Sequence, residues 1–408
     1  MELTAARRLI LAQVAMEPHE TVGLALALHR VCARPLKARL DSPPFTRATR
    51  DGYAVSPHDF EPAVDLPAIR LRLAGEIAAG RPDPVAIEPG EAWRIMTGAA
   101  LPAGADRVIP GEFCQELDRF VLLPATAVAS GMFVEQRAAV INKKQVVLER
   151  GVRVTPAYLA ILAQAGIREL AVHRQPAVAY FCTGSELVDH TAALPGAGQI
   201  VCANSPLLSG LIRQAGGRPL DLGIIPDRLE LLCTAFEAAQ ATGARLLITT
   251  GGLGPGRYDL VAAAFAQAGG RLLFQSLNVR PGRSTLCGTL GPMLFFGLPG
   301  PPGAVNILFD ELLRPAILRA QGLRHVLPQT IQAELSEPLT VGKNGFSRLR
   351  EAVLTIRAGK ITARPSALGE AMNAVLVLPA GRCHYKKGAT VTVHCHGFNF
   401  SPHDDRLK

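Results

Sequence analysis

From Gln175 onward the chain alternates short apolar runs with amphipathic segments, and that rhythm leaves few folds open. The runs are AVAYFC from Ala177, PLDLGII from Pro219, LLIT from Leu246, RLLFQ from Arg271 and MLFFGL from Met293. Helical segments are expected after Asn204-Ser205, after Asp227 and after Tyr258, with a long one from about Gly303 to Ala320. Behind Asp227, residues Leu229, Leu232, Cys233 and Phe236 recur at i, i+3, i+4 and i+7, which makes one buried stripe. Apolar strands alternating with such helices imply a mostly parallel sheet covered on both faces, whose ligands sit beyond the carboxyl ends of the strands.

Those ends carry the polar residues. The stretch RLLITTGGLGPGRYDL, from Arg245 to Leu260, reads as strand, tight loop and helix, with glycines at 251, 252, 254 and 256. Such a loop is either a plain connection or a cradle of N–H groups for phosphate or an oxyanion. Thr183-Gly184-Ser185-Glu186 supplies hydroxyls and a carboxylate after the first strand. Asp227 either caps the next helix or serves a site, and Asp259 carries the same ambiguity. Arg280-Pro281-Gly282-Arg283 offers two guanidiniums, and Gly297-Leu298-Pro299-Gly300-Pro301-Pro302-Gly303 a rigid turn expected to present amides to an anion. Carboxylates among anion-binding groups suggest a divalent metal or a heterocycle with several N–H donors. The residues show no serine or cysteine nucleophile with a histidine partner, and no Walker lysine.

The rest of the chain is organised differently. Residues 2 to about 30 have helical spacing, with Leu3, Ala6, Ile10 and Val14 on the first stripe. Alternating runs from Leu66 to about Val140 read as a mostly β module, and Thr155-Pro156 opens a helix that ends at Gly166. The expected division is 1–175 for an N-terminal part, 176–324 for the α/β domain and 325–408 for a C-terminal β domain. Within 1–175, helical or extended segments (1–45 and 141–172) flank a β subdomain at about 46–140, and the first helix is free to pack on the sheet domain. A formal charge of +9 over 408 residues favours an anionic partner, whereas 5% aromatics without a basic run argue against nucleic acid. No apolar run is long enough for a membrane span, and the opening MELTAARRLILAQ lacks a cleavage pattern, so a cytoplasmic protein is expected. Eight scattered cysteines read as reduced. Cys383-His384 and His394-Cys395-His396 match no standard zinc spacing and read as strand residues alternating between faces.

Several of these pieces resemble the molybdopterin molybdenumtransferase family, which includes MoeA and the E-domain of gephyrin, in the family's order and along almost the whole chain. They are Arg50-Asp51-Gly52-Tyr53-Ala54-Val55, then Arg94-Ile95-Met96-Thr97-Gly98-Ala99 with Pro102-Ala103-Gly104-Ala105-Asp106. Thr183-Gly184-Ser185-Glu186-Leu187 follows, then Gly198-Gln199-Ile200 with Asn204, and Leu222-Gly223-Ile224-Ile225 with Asp227. Thr250-Gly251-Gly252 with Asp259, Pro281-Gly282 and Gly297-Leu298-Pro299-Gly300 complete the series.

The resemblance implies an α/β multidomain protein: a central doubly wound, mostly parallel sheet domain, an elongated mostly β N-terminal part and a small C-terminal β domain. It implies a homodimer whose active site lies between the sheet domain of one subunit and the second subdomain of the other. The activity implied is transfer of molybdate to adenylylated molybdopterin with Mg²⁺, in molybdenum cofactor biosynthesis, with a molybdoenzyme or pathway protein as a further partner. By motif, Asp51, Glu186, Asp227 and Asp259 take the catalytic places, with Glu186 and Asp227 assisting the metal. Thr97, Thr183, Gly184, Asn204, Thr250, Gly251, Gly252, Arg280, Gly282, Arg283, Pro299, Gly300 and Arg348 take the substrate-binding ones. Five departures remove polar groups from the family pattern: Val140, Cys202 and Gly254 stand in place of an aspartate, an aspartate and a serine, and Pro301 and Ala304 in place of an asparagine and a serine. They leave a second function open, a member that binds the pterin cofactor or docks partners without catalysis.

Overall fold

The computed structural model describes residues 1–60, 67–80, 86–124, 131–191, 195–254, 260–342, 345–357 and 359–396. It divides into two compact units: Met1–Glu20, His29–Val31 and His173–Lys408 form one, and Thr21–Leu28 with Cys32–Val172 the other.

Helix α1 (Leu3–Gln13) buries Leu3, Ala6 and Ile10 in the core of the first unit. The helical spacing read through residue 30 stops early. Pro18 has no N–H and disfavours helix at the residue before it, and the chain continues as a strand over His19–Gly23 and a 3₁₀ turn over Leu24–Leu26.

The second unit holds β1 (Gly52–Val55), β2 (Ala68–Ile77), β3 (Glu91–Ile95), β4 (Arg107–Pro110), β5 (Gln115–Leu117) and β6 (Phe120–Pro124). They make a six-stranded sheet in the order β4-β1-β3-β2-β6-β5, antiparallel except between β2 and β3. Period-2 patterning decides its faces: Ile69 and Leu71 are buried while Arg70 and Arg72 between them face out. Helix α2 (Pro156–Gln164) starts where Thr155 accepts the Tyr158 N–H, and Gly166 takes the left-handed turn that ends it.

The sheet of the first unit contains β7 (Ala177–Thr183), β8 (Arg218–Ile225), β9 (Leu246–Thr250), β10 (Arg271–Phe274), β12 (Leu286–Leu290) and β13 (Met293–Leu298); a short strand, β11 (Val279–Arg280), lies outside it. Its order is β8-β7-β9-β13-β12-β10, with the first four strands parallel and the pairings β13–β12 and β12–β10 antiparallel. Helices α3 (Asn204–Gln214), α6 (Pro302–Leu308) and α7 (Arg314–Ala320) join α1 on one face; α4 (Leu229–Ala241) and α5 (Val261–Gln267) cover the other. On the α4 side Phe236 packs edge-on against Phe181 and Phe295 with centroids 5.6 and 5.2 Å apart. The chain leaves β7 toward β8 and returns past it to β9, so the switch point of the sheet lies where β7 and β9 end.

The helix expected from 303 to 320 is interrupted by a π turn over Phe309–Leu313. The wider turn carries Glu311, fully buried, against Arg7 and the histidines of the last strand, whose hydrogen bonds compensate the irregular backbone.

The C-terminal strands β14 (Gln329–Leu335), β15 (Ser347–Arg357), β16 (Lys360–Pro365), β17 (Ala374–Leu378) and β18 (Thr390–Cys395) pair in the cycle β15-β16-β14-β18-β17-β15, which closes a small barrel. Strand β11 adds to β15 and sets Arg280 beside Arg348. All eight cysteines are free thiols, and among the described residues no helix is long and apolar enough to cross a membrane.

Candidate active site

Asp227 is not a helix cap. The N-cap of α4 is Arg228, without a side-chain bond, and the Asp227 carboxylate reaches across to the end of β7. Its Oδ1 accepts the Thr183 hydroxyl at 2.7 Å and its Oδ2 the Ser185 N–H at 3.0 Å, while the Ser185 Oγ accepts the Asp227 N–H at 3.1 Å. Two strand ends are thereby locked together, and a carboxylate is held in a fixed pose.

Beside it, Asn204 opens α3 and is 8% exposed. Its Nδ2 donates to the Gly300 carbonyl at 2.7 Å and to the Thr250 hydroxyl oxygen at 3.2 Å. A carbonyl can only accept, which fixes the amide orientation and leaves the buried Oδ1 without a partner among the described residues. Gly251 and Gly252 floor the same space. Both take positive φ, +94° and +63°, and a Cβ on Gly251 would lie 2.5 Å from the Thr183 carbonyl, so neither position admits a side chain.

These groups line a cavity of about 400 Å³ that gathers Thr183, Gly184, Glu186, Asn204, Asp227, Thr250, Gly251, Gly252 and Gly300. Its polar side chains are mostly acceptors and carboxylates. It ends at Pro301, which also lines a second cavity of about 600 Å³ with Arg280, Gly282, Arg283 and Pro299. A third, of about 390 Å³, continues past Arg280 to Arg348 and Arg350. Among the described residues neither Arg280 nor Arg283 has a carboxylate partner, and Arg283 is steadied by the Phe346 ring, 4.5 Å from its centroid. Glu351, the carboxylate of the third cavity, is occupied by Asn306 at 2.6 Å.

The Gly300 turn differs from the sequence expectation. Pro301 and Pro302 open α6 without N–H groups, and the Ala304 N–H is spent on the Pro301 carbonyl at 3.0 Å, so arginines rather than amides provide the positive character. Of the loop after β9, residues 255–259 lie outside the described part, Asp259 among them. Gly254 is exposed and contributes no hydroxyl.

Asp51 and Thr97 belong to the other unit, where the Asp51 Oδ1 accepts both the Thr97 hydroxyl, at 2.7 Å, and the Thr97 N–H, at 2.6 Å. The hydroxyl, then the N–H, hold the Asp51 carboxyl below the usual carboxylate range. Val140, in the same unit, is exposed.

Among the described residues no group of three or more His, Cys, Asp or Glu side chains is placed to hold a metal ion. His394 and His396 instead face Glu311, with Nδ1 and Nε2 2.9 and 3.0 Å from its oxygens, while Cys395 lies on the opposite side of the strand against the barrel core. Sequence reasoning missed this cluster because Arg7, Glu311 and the histidines are far apart in the chain; the i, i+2 histidines were its one visible sign.

Fold and cavities together define an α/β protein with a polar cavity where the parallel strands end. The family model described as "MoeA N-terminal region (domain I and II)" matches residues 1–166, and that described as "Probable molybdopterin binding domain" matches residues 179–319. The molybdopterin molybdenumtransferase of Bacillus subtilis (strain 168) is 33% identical over 387 residues, covering 92% of this chain and 89% of its own. That of Staphylococcus aureus (strain COL) is 30% identical over 400 residues, 95% and 94% of the two chains. Solved structures of the molybdopterin biosynthesis MoeA protein from Pyrococcus horikoshii superpose with TM-scores of 0.81 and 0.78, at 26% and 25% identity, over 97% of this chain and 99% of theirs. The chain belongs to the molybdopterin molybdenumtransferase family, which places it in molybdenum cofactor biosynthesis.

Proposed function

We propose that the protein is a transferase that moves molybdate onto adenylylated molybdopterin, with the pterin end in the first cavity and the oxyanion among the arginines. The observation that carries this reading is that Pro301 lines both an acceptor-rich space and an arginine-rich one. The unpartnered Asn204 Oδ1 suits a ring N–H, since a buried acceptor left alone costs about 1–3 kcal/mol and a donor on the ligand removes that cost. Arg280, Arg283 and Arg348 suit an oxyanion in charge.

Glu186 and Asp227 are hard oxygen donors, the kind Mg²⁺ takes one or two of while sharing the rest of its shell with substrate phosphates and water. An ion held there would neutralise charge on the adenylate phosphate. Asp227, immobilised by Thr183 and Ser185, orients what it binds. Asp259 accompanies Thr250-Gly251-Gly252 in the family's pattern and is assigned with this pair on that ground. We further read the protein as a cytoplasmic homodimer in which the Asp51–Thr97 pair of one subunit completes the cavity of the other, and which hands its product to a molybdoenzyme or another pathway protein.

The test is incubation with adenylylated molybdopterin, Mg²⁺ and molybdate, following AMP and dithiolene-bound molybdenum. Stoichiometric AMP release that depends on molybdate is expected; none at any molybdate concentration overturns the reading. A second reading, a pterin-cofactor binder without transfer, is favoured by the loss of donors at Gly254, Pro301 and Ala304. It predicts saturable molybdopterin binding without AMP release.

A further inference from the structure

The first cavity has an apolar side that the assignments above leave unused. Leu187, Ile200, Pro301 and Pro302 line it together with its polar groups. Ile200 is 56% exposed and Leu187 half-buried, so both present apolar surface to whatever enters. A single exposed isoleucine means little on an open surface, but this one stands in a cavity and its backbone is fixed. Leu187–Val188 pairs in parallel with Ile200–Val201, a two-stranded ribbon that follows β7. The Ile200 N–H donates to the Glu186 carbonyl and the Cys202 N–H to the Val188 carbonyl, each at 2.9 Å, while the Leu187 N–H closes a turn on the Gly184 carbonyl at 3.2 Å. A Cβ on Gly184 would lie 2.9 Å from the Leu187 Cγ and from both Glu186 carboxylate oxygens, so the apolar group and the carboxylate crowd the same glycine.

The topology sets two apolar groups on either side of the cavity floor. Strand β9, whose end gives Gly251 and Gly252, has β7 and β13 as its two neighbours. The ribbon follows β7 and the Pro301–Pro302 turn follows β13, so ribbon and prolines flank the glycines. The buried Asn204 Oδ1, without a partner among the described residues, belongs to the same lining. Apolar sides with one fixed acceptor suit a flat ring, whose faces are apolar and whose edge carries the hydrogen-bonding groups.

We propose that Ile200 is a specificity-determining residue of the first cavity. With Leu187 it packs on one face of a planar heterocycle, the pterin of the substrate, whose other face meets Pro301 and Pro302 and whose edge N–H reaches Asn204. This rests on reading the first cavity as the pterin site. The contact selects by shape, so a non-planar analogue with the same edge groups gains nothing from it. Because the Ile200 N–H holds the Glu186 carbonyl, a ring seated against Ile200 also steadies the segment that carries the Glu186 carboxylate. Val201, 45% exposed, is its neighbour on the ribbon and does not line the cavity, in keeping with the alternation of side chains along a strand.

The full-length protein is titrated with bare pterin, followed by the fluorescence of the ring, and with molybdate by calorimetry. Steady-state AMP release from adenylylated molybdopterin is measured alongside. Ile200→Ala should weaken pterin binding and raise KM by roughly tenfold, about 1.4 kcal/mol, with kcat within about twofold, since a contact made equally before and during the reaction changes KM alone. Ile200→Leu should restore pterin affinity to within about threefold, because it keeps the apolar volume. Val201→Ala should match the wild type, and molybdate affinity should stay within about twofold in all three variants. The replaced side chains are exposed, and a thermal melt checks that each variant folds. Pterin bound by Ile200→Ala as tightly as by the wild type, an equal loss in Val201→Ala, or a parallel loss of molybdate overturns the proposal. So does a wild type that binds no pterin. The function proposed above is read separately. If the wild type releases no AMP, transfer fails while the pterin titration still judges Ile200; if it releases AMP and the Ile200→Ala KM is unchanged, Ile200 fails and transfer stands.

Discussion

The two cavities that meet at Pro301 are built on opposite plans. In the first, side chains are committed to one another: Thr183 and Ser185 hold Asp227, while Gly300 and Thr250 hold Asn204. In the second, exposed arginines project from β11 and the turn after it, and the backbone that would have offered amides is proline. On the proposed function the first recognises by fixed geometry, the second by charge. Fixed geometry is costly to perturb at any single atom, whereas charge is shared among several guanidiniums and tolerates the loss of neutral donors. On that reading the difference explains how Gly254, Pro301 and Ala304 coexist with the bonded frame around Asp227 and Asn204.

The largest effect is expected outside both cavities and serves as their control. Glu311 is fully buried; burial alone would push its carboxyl up, but hydrogen bonds from His394 and His396 and the charge of Arg7 hold it down to about 2. An ionised carboxylate only accepts, so His394 carries its proton on Nδ1 and His396 on Nε2. Removing one partner of a buried ionic cluster costs about 3–5 kcal/mol, which is the loss expected for Glu311→Gln in urea unfolding at pH 7. The folded value lies below the ordinary 4.5, so the contribution is complete above that pH and fades as pH falls toward about 2. The variant should therefore show a shallower loss of stability across that window while still binding molybdopterin. Weakened binding at full folding would mean the cavities are not independent of this cluster.

Next in size is Asp227→Asn, which disrupts the fixed frame at its centre. AMP release should fall by about 10²–10³-fold, the range for losing one preorganised transition-state group. A drop below tenfold would mean that the first cavity is as tolerant as the second.

The sequence exposed the α/β rhythm because strands buried on both faces must be apolar throughout, and helices must show a stripe; β7, β9 and β13 are legible from composition alone. The π turn at Phe309–Leu313 was not legible, since the pattern that makes a buried helix also accommodates one extra residue. Asp227 illustrates the same limit within the site. An aspartate just before a helix is most often a cap, and only the register of β7 against β8, which places Thr183 opposite Ile225, reveals that it serves the neighbouring strand. The prolines of the Gly300 turn were visible as residues, but their effect depended on α6 starting at Pro302.

If charge does the work in the second cavity, a restored donor should help only modestly. Ala304 is half-buried and borders both arginine-lined spaces. Ala304→Ser offers one hydroxyl to a charged ligand, worth about 1.5 kcal/mol, and should tighten molybdate binding by roughly tenfold in isothermal titration. A gain of a thousandfold would show that neutral donors, not guanidiniums, had been limiting.

The smallest effect is the most direct comparison of the two plans. Exposed charges are screened over about 10 Å at 0.1 M salt and about 3 Å at 1 M, whereas hydrogen bonds formed inside a buried pocket are screened much less. Raising the ionic strength from about 0.05 to 0.5 M should weaken molybdate binding to the arginines several-fold, since Arg280 and Arg283 face solvent and are unneutralised by carboxylates among the described residues. Binding of an uncharged pterin ring, held by Asn204 and the Gly251–Gly252 floor, should change by less than about twofold over the same range. Equal salt sensitivity of the two ligands would place them in one electrostatic environment and erase the distinction, because a pocket that reads geometry has no reason to respond to counterions.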